Sequence, residues 1–291
     1  MKYQGKVYRP PNEFDSLIIQ ATMGCPHNKC IFCNMYSDRR FKIRPLEEIM
    51  KDLEEGKHQS KKEVESIFFA DGNTILMKTK DLLRILKFCK ELFPKLKRVT
   101  MYGSAQFINL KSLDELIELK RAGLTRIHCG MESGDNKVLK LMNKGFTRDE
   151  MAKAGNMVKR ANIELSLYYI VGLGGRDLSE DHAINSGDLI SRINPNFIRL
   201  RTLIPFGNTP LYKLYKEGDF KILNAHEAIK ETKLFVKSLN RINSCFLSDH
   251  VSNHFNINGK FPEDKENIIE QLDCLLYLDK SNFRSPTSGV L

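Results

Sequence analysis

The nine residues Cys25-Pro26-His27-Asn28-Lys29-Cys30-Ile31-Phe32-Cys33 hold three of the chain's seven cysteines. Thiolates are soft ligands, suited to zinc and to iron–sulfur clusters. A structural zinc site is normally closed by a fourth ligand, whereas three protein ligands leave one position open for chemistry. A [4Fe–4S] cluster on three cysteines has, in the same way, one iron that no protein thiolate occupies and that could bind a small molecule. A zinc knuckle is the other reading, with His27 or a distant residue as fourth ligand. His27 lies between the first two cysteines, where ring closure would be cramped.

Other stretches carry residues that suit a ligand. In Asp71-Gly72-Asn73-Thr74 a glycine lets backbone approach closely, and the flanking polar groups can accept hydrogen bonds from an ammonium. An ordinary Asp-Gly turn would look the same. Gly103-Ser104-Ala105-Gln106 is small and polar, fit for a ligand wall. Gly130-Met131-Glu132-Ser133-Gly134 sets a lone carboxylate between glycines, a candidate to bind a ribose or an amine. Gly172-Leu173-Gly174-Gly175 could cradle phosphate, although the G-x-G-x-x-G fingerprint is not met. In Phe197–Thr202, period-two alternation puts Arg199 and Arg201 on one face and Ile198 and Leu200 on the other. Two inward arginines need an anion, either a ligand or an acidic side chain elsewhere. Asp249, His250 and His254 could bind metal or act as acid and base; a hydrogen-bonded end piece is the other reading.

These groups must be positioned by regular elements. From Ser16 the chain alternates short apolar runs with amphipathic stretches. Strands are expected at Ser16–Ala21, Ser66–Ala70, Arg98–Tyr102, Arg126–Met131, Glu164–Val171 and Phe197–Leu203. Helices are expected at Leu46–Leu53, where Pro45 suits a helix start, and at Lys80–Leu92, Ser112–Arg121, Asp149–Arg160 and Ser179–Ile193. Such alternation indicates βαβ units and a parallel sheet, whose ligands bind at the C-terminal strand ends. The cysteine loop follows the first strand. The candidate segments follow the strands after it in order, one per strand end. Past Gly218 the pattern changes: Ala225–Leu239 and Lys265–Leu276 read as further helices, and Ser285-Pro286-Thr287-Ser288-Gly289 as disordered.

With those residues in view, the cysteine loop resembles the cluster loop of the radical S-adenosylmethionine (radical SAM) superfamily. That loop is usually C-x3-C-x2-C with an aromatic residue before the last cysteine, the place of Phe32. Here the first spacing is four residues. Residues 130–145, GMESGDNKVLKLMNKG, resemble a signature of the subgroup containing coproporphyrinogen dehydrogenases and tRNA methylthiotransferases. Pro205-Phe206-Gly207-Asn208-Thr209-Pro210-Leu211-Tyr212 resembles the segment that closes many barrels of this subgroup. The resemblance, over roughly residues 9–240, implies a partial (β/α)6 TIM-like barrel with parallel strands; a doubly wound sheet is the alternative. It implies a [4Fe–4S] cluster on Cys25, Cys30 and Cys33, with SAM on the open iron. It further implies that Asp71, Gly72 and Asn73 contact the SAM amino group and that Glu132 contacts SAM. Lys144 could pair with its carboxylate, though a solvated lysine explains that residue as well. Gly172 and Gly174 would lie against adenine, with Ile170 and Val171 adding an apolar contact. Ser104, Phe32, Arg199 and Arg201 complete the candidate cofactor set. Reduction would then cleave SAM to a 5′-deoxyadenosyl radical that abstracts hydrogen from a substrate. An electron donor such as flavodoxin or ferredoxin and an anaerobic physiology are expected.

The bulk properties are compatible. The chain has 291 residues, 41% hydrophobic and 28% charged, as a globular protein should. No apolar run approaches a membrane span, and Met1-Lys2-Tyr3-Gln4 does not read as a signal peptide, so a cytoplasmic location is expected. Seven cysteines, an odd number, argue for metal ligation or thiols over a disulfide framework. The net charge of +10 is spread along helices, as at Lys61-Lys62 and Lys78-Lys80. No RNA-binding module accompanies it. The expected division is an arm over 1–15, a core over 16–240, and a short, mainly helical extension over 241–291 that covers the barrel. The substrate is expected to be a small molecule or peptide, and an anionic one would suit the two arginines. The other function readings are a non-catalytic zinc- or iron–sulfur-binding protein with nucleic-acid affinity, and a tRNA-modifying enzyme of the same superfamily.

Overall fold

The computed structural model describes residues 3–284; the tail segment from Ser285 to Gly289 lies outside them. The expected strands form as β1 (Leu17–Gln20), β2 (Ser66–Ala70), β3 (Arg98–Tyr102), β4 (Arg126–Glu132), β5 (Glu164–Val171) and β6 (Phe197–Thr202). Between them come α1 (Leu46–Gln59), α2 (Thr79–Leu92), α3 (Leu113–Ala122), α4 (Asn136–Leu141), α5 (Arg148–Arg160) and α6 (Ser179–Ile193). After β6 follow α7 (Pro210–Glu217), α8 (Ala225–Ser238), β7 (Cys245–Leu247), β8 (Gly259–Lys260) and α9 (Lys265–Leu275).

The chain divides into two compact units. One comprises the stretch up to Asn28 together with Met35–Cys129 and Lys153–Leu165; the other comprises Lys29–Asn34, Gly130–Ala152 and the stretch from Ser166 on. In the first unit β1, β2, β3 and β4 pair in that order, all parallel, with Leu17 opposite Ile67, Ile67 opposite Val99, and Met101 opposite Ile127. Ile67, Phe68 and Phe69 are all buried. Such a continuous apolar run is what a parallel strand covered on both faces requires. In the second unit β5 pairs with β6 and β6 with β7, both parallel, and β8 closes on β7 antiparallel. The stretch after α8 thus contributes two short strands besides its helix. Each unit is a mostly parallel α/β arrangement with flanking helices.

Local chemistry explains the helix limits. Pro45 stands at the α1 N-cap, Glu47 and Glu48 in its first turn, and Lys57 and His58 in its last, in keeping with the helix dipole. The helix runs past Leu53 to Gln59, through a glycine. Gly56 is buried, and a Cβ there would stand 2.9 Å from the Leu17 side chain, so this glycine serves the packing of α1 on β1 and not a break. Capping boxes at Ser112/Glu115 and Asn224/Glu227 start α3 and α8.

The N-terminal arm packs onto the first unit. Tyr3 donates to the Ile18 carbonyl at 3.0 Å, and the Gln4 N–H donates to Gln20 Oε1 at 2.9 Å. Glu13 is fully buried and accepts a hydrogen bond from Ser16 at 2.6 Å. It lies 2.9 Å from His128 Nε2 and 3.3 Å from Arg98. Burial pushes the Glu13 carboxyl up, but the hydrogen bonds of His128 and Ser16 outweigh it and hold the group below its ordinary 4.5. A folded-state value below the unfolded one adds stability above about pH 4.5 that is lost as pH falls through the folded value. Urea unfolding of the wild type between pH 5 and 3 should therefore show stability dropping with acid. Glu13→Gln should be less stable at pH 6 and flatter across that window.

Candidate functional site

In the first unit the cysteine loop leaves β1 through Gly24, whose φ of +73° favours glycine. The pairs Thr22–Met23 and Lys42–Ile43 form a small antiparallel ribbon beside it. Asp71 is fully buried and accepts from Gln20 Nε2 at 2.9 Å and from the Gly24 N–H at 3.3 Å. Burial raises its pKa, partly offset by those bonds. Through Oδ2 its carboxylate therefore holds the base of the loop, while Oδ1 is buried with no hydrogen-bond partner among the described residues. The Gly72 N–H donates to the Gly24 carbonyl at 3.1 Å. A Cβ on Gly72 would lie 2.9 Å from that oxygen and 3.1 Å from the Cys25 Cα, so what approaches this glycine closely is the cysteine loop itself.

Asn73, left-handed at φ +84°, places Nδ2 at 3.8 Å from Cys25 Sγ and accepts the Ser104 N–H on Oδ1 at 2.6 Å. Cys25, Asp71, Gly72, Asn73 and Ser104 are thus brought together. The Ser104 hydroxyl is buried with no hydrogen-bond partner among the described residues. His27 Nδ1 lies 3.5 Å from Gln106 Nε2. Gly72→Ala must displace the loop or strain the chain. It should cost about 1–3 kcal/mol in denaturant unfolding, as overpacking does, and lower the iron content of reconstituted protein.

In the second unit the Cys33 N–H donates to the Cys30 carbonyl at 3.2 Å, so these two cysteines share one turn. The turn is gripped on both sides. The Ile31 N–H donates to the Met142 carbonyl at 3.1 Å, and the Leu211 N–H donates to the Ile31 carbonyl at 3.0 Å. Asn143 donates to the Lys29 carbonyl at 3.0 Å. Ile31 and Phe32 pack on the buried residues Val138, Met142, Leu173, Leu211 and Phe220. The turn before α7, expected to be architecture, therefore holds the cysteine segment by a backbone bond from Leu211.

Glu132 ends β4 with φ +62°, and Lys144 Nζ lies 3.2 Å from its Oε1. The same ammonium stands 5.7 Å from the Phe32 ring centre, a cation–π distance. Lys144 is thus not a solvated side chain: it joins Glu132 to the aromatic residue between the last two cysteines. A Cβ on Gly130 would press on the Glu132 carboxylate and come within 3.3 Å of Lys144 Nζ, so a side chain there would crowd this ion pair.

The glycine segment after β5 is packed from behind. A Cβ on Gly174 would be 3.1 Å from Leu178, and one on Gly175 would be 3.0 Å from Phe220. The Gly172 N–H, at φ +81°, donates to Glu231 Oε1 at 2.7 Å. Glu231, in α8 and only 2% exposed, also accepts from Tyr169 at 2.9 Å and Ser179 at 2.6 Å. His182 is buried beside it. Its Nε2 lies 3.0 Å from the Ile170 carbonyl and its Nδ1 2.9 Å from Ser133 Oγ. Two buried polar residues thus tie the strand-end loops after β4 and β5 together. Sequence reading missed both. The signal for Glu231 was a carboxylate on the apolar stripe of α8, three residues after Ala228 and four before Phe235.

Arg199 is buried with Nη1 3.9 Å from Asp249 Oδ1, and the Arg201 guanidinium lies 5.0 Å from the Tyr168 ring centre. Ile198 and Leu200 are buried on the alternate face, as the strand period requires. His250 and His254 do not share a site: His250 Nδ1 accepts the Ser252 N–H at 3.1 Å, and His254 Nδ1 lies 3.2 Å from the Arg284 carbonyl.

No cysteine is in a disulfide. Cys25, Cys30 and Cys33 are half-buried, whereas Cys89 and Cys129 are core residues, and burial pushes the Cys89 thiol up to about 12. Among the described residues no three His, Cys, Asp or Glu converge as a ready metal site.

The sequence profile of the radical SAM superfamily matches residues 19–186. The chain belongs to the radical SAM superfamily. Proteins of this superfamily are enzymes that bind a [4Fe–4S] cluster and SAM, and those are the cofactors of this chain. The residues fit that requirement in chemistry: three accessible soft thiols and, at Ser104 next to Asn73, a buried hydroxyl with unused hydrogen-bonding capacity. The chain is 25% identical over 43% of its length to a tRNA uridine(34) acetyltransferase of Methanocaldococcus infernus, covering 23% of that protein. It is 28% identical over 69% of its length to a tRNA-2-methylthio-N(6)-dimethylallyladenosine synthase of Petrotoga mobilis, covering 46% of it. That relative falls in the subgroup that residues 130–145 resemble. The fold is shared with methylornithine synthase at TM-score 0.54 and 13% identity, covering 92% of this chain and 84% of that one. The chain thus spans less than half the length of both curated relatives. No described helix is long and apolar enough to cross a membrane.

Proposed function

We propose that Cys25, Cys30 and Cys33 hold the [4Fe–4S] cluster, and that the segments around them bind SAM for radical chemistry on a further substrate. The observation that carries this is the contrast among the cysteines. The three on the loop are half-buried in segments anchored by dedicated bonds, while Cys89 and Cys129 are sealed in the core. When bound and reduced, the cluster supplies the electron that splits SAM into methionine and a 5′-deoxyadenosyl radical. The chain's own residues bind and orient. Asn73 fixes Cys25, Phe32 and Lys144 flank the other two cysteines, Glu132 offers a carboxylate to SAM, and Gly172–Gly175 presents backbone to adenine. We assign the enzyme to the cytoplasm of a cell at low oxygen, with a flavodoxin or ferredoxin as electron donor.

A second reading is that the substrate is RNA. It is favoured by the two relatives named for tRNA modification and by the net charge of +10. Gel-shift titration with bulk tRNA at two salt concentrations would test it: salt-sensitive binding supports it, and no binding at low salt overturns it.

The metal assignment is tested by analysis of anaerobically reconstituted protein. About four irons with matching sulfide per chain are expected. Stoichiometric zinc with no iron uptake would overturn the assignment in favour of a metal-stabilised binding protein.

A further inference from the structure

The three residues after Glu132 are each held by one residue of α6. Ser133 Oγ lies 2.9 Å from His182 Nδ1, the Gly134 N–H donates to Ser186 Oγ at 2.7 Å, and Asp135 Oδ2 accepts from Asn185 Nδ2 at 2.6 Å. His182, Asn185 and Ser186 stand three and four residues apart, the spacing of one helix face. The contact is close: a Cβ on Gly134 would lie 2.5 Å from the Asn185 carbonyl oxygen, so a side chain there would drive this turn off α6. Ser133, His182 and Ser186 have no exposed surface. Glu132 itself has a left-handed backbone, φ +62°, which a side chain adopts at a cost and keeps only where its surroundings fix it. The grip of α6 begins at the next residue.

His182 also reaches the next strand end. Its Nε2 lies 3.0 Å from the Ile170 carbonyl and 3.7 Å from Glu231 Oε1. A carbonyl oxygen only accepts, so Nε2 carries the ring hydrogen and Nδ1 is left as an acceptor. Ser133 Oγ already accepts the Asp135 N–H at 3.0 Å, and its own hydrogen goes to Nδ1. The bonds thus run in one direction, from the Asp135 N–H to Ser133, to His182, to Ile170. The ring plane is fixed by stacking on Tyr169, 4.8 Å between centres, and Tyr169 stacks in turn on Phe235 at 4.2 Å. Ile170 stands two residues before Gly172. One buried imidazole therefore bonds both the turn that follows Glu132 and the strand that enters the glycine turn.

We propose that His182 is a positioning residue: through Ser133 it holds the strained backbone that aims Glu132, and through Ile170 it keeps that carboxylate in register with the glycine turn at residues 172–175. The inference rests on the reading that Glu132 and the glycine segment contact SAM. His182 and Ser133 do not touch the bound molecule; their effect on it passes through Glu132.

The first arm needs neither cluster nor SAM. Nitrogen NMR of the histidine rings in the full chain, with His182 assigned by its Overhauser contacts to the Tyr169 ring, should show the hydrogen on Nε2. The Nδ1 signal should move in Ser133→Ala. A hydrogen on Nδ1, or an Nδ1 signal indifferent to Ser133→Ala, overturns the proposal. The second arm measures SAM affinity of reconstituted protein by equilibrium dialysis. Ser133→Ala is expected to weaken SAM binding about fivefold at unchanged iron content, and Glu132→Gln about tenfold or more. The double variant should bind no more weakly than Glu132→Gln alone, because the serine acts through the carboxylate; a merely loosened fold would weaken both backgrounds alike. Wild-type affinity in Ser133→Ala, or the same further fall in the double variant, overturns the proposal and leaves the reading of Glu132 standing. Wild-type affinity in Glu132→Gln overturns that reading, and the proposal with it. Ser133→Ala removes one oxygen and keeps the imidazole, so neither arm depends on a histidine variant that folds.

Discussion

Cys30→Ala is expected to leave reconstituted protein with little iron and sulfide and with no SAM cleavage above background. The position carries a soft donor in a turn whose backbone is already fixed: the Cys33 N–H on the Cys30 carbonyl, and Ile31 held by Met142 and Leu211. Removing the thiol deletes one of the three proposed ligands without disturbing those bonds. Circular dichroism and the melting temperature of the apo-protein should therefore stay close to wild type. That separation, chemistry lost and fold kept, distinguishes a ligand from a core cysteine. Cys129→Ala, by contrast, removes a buried side chain and should destabilise by about 1–2 kcal/mol while leaving iron uptake intact. Iron analysis and thermal unfolding of the two variants side by side check both halves.

Glu231→Ala carries the second large effect. The residue is 2% exposed and accepts hydrogen bonds from the Gly172 N–H, the Tyr169 hydroxyl and the Ser179 hydroxyl. Its removal leaves two buried donors and one half-buried donor short of an acceptor, which should cost about 3 kcal/mol or more in urea unfolding. Burial raises the Tyr169 pKa well above its ordinary value, so ionisation of that phenol cannot relieve the loss. Glu231→Gln keeps one oxygen for the Gly172 N–H and should cost about 1–2 kcal/mol. In both variants the turn at Gly172 loosens, so SAM affinity should fall further in alanine than in glutamine. A variant that lost stability with wild-type SAM affinity would make Glu231 a purely structural residue.

The strands were legible because each is an apolar run of four to eight residues ended by a glycine or polar stop; β2, β3 and β5 match to the residue. The end of α1 was not: the helix runs on past Leu53 to Gln59 through Gly56, which serves as a contact surface for Leu17. β7 was hidden by its length of three residues. The candidate site divides the same way. Residue types at strand ends were readable: Cys25, Gly72, Asn73, Glu132 and Gly172 stand where a parallel fold collects ligands. Their partners were not. Glu13 meets His128 across 115 residues, Gly172 meets Glu231 across 59, and Lys144 meets Glu132 across 12. Pairings of that span are products of topology, and no local pattern encodes them. The direction of a side chain was equally hidden. Nothing local to Asp71 announces that its Oδ2 accepts from Gln20 and the Gly24 N–H.

The measurement that bears most directly on the whole account is formation of 5′-deoxyadenosine. Protein reconstituted anaerobically with iron and sulfide, reduced, and given SAM should produce 5′-deoxyadenosine and methionine in equal amounts, and the product should vanish in Cys30→Ala. A fully loaded cluster that yields none under several reductants and with candidate substrates present would contradict the assignment of this chain to radical chemistry.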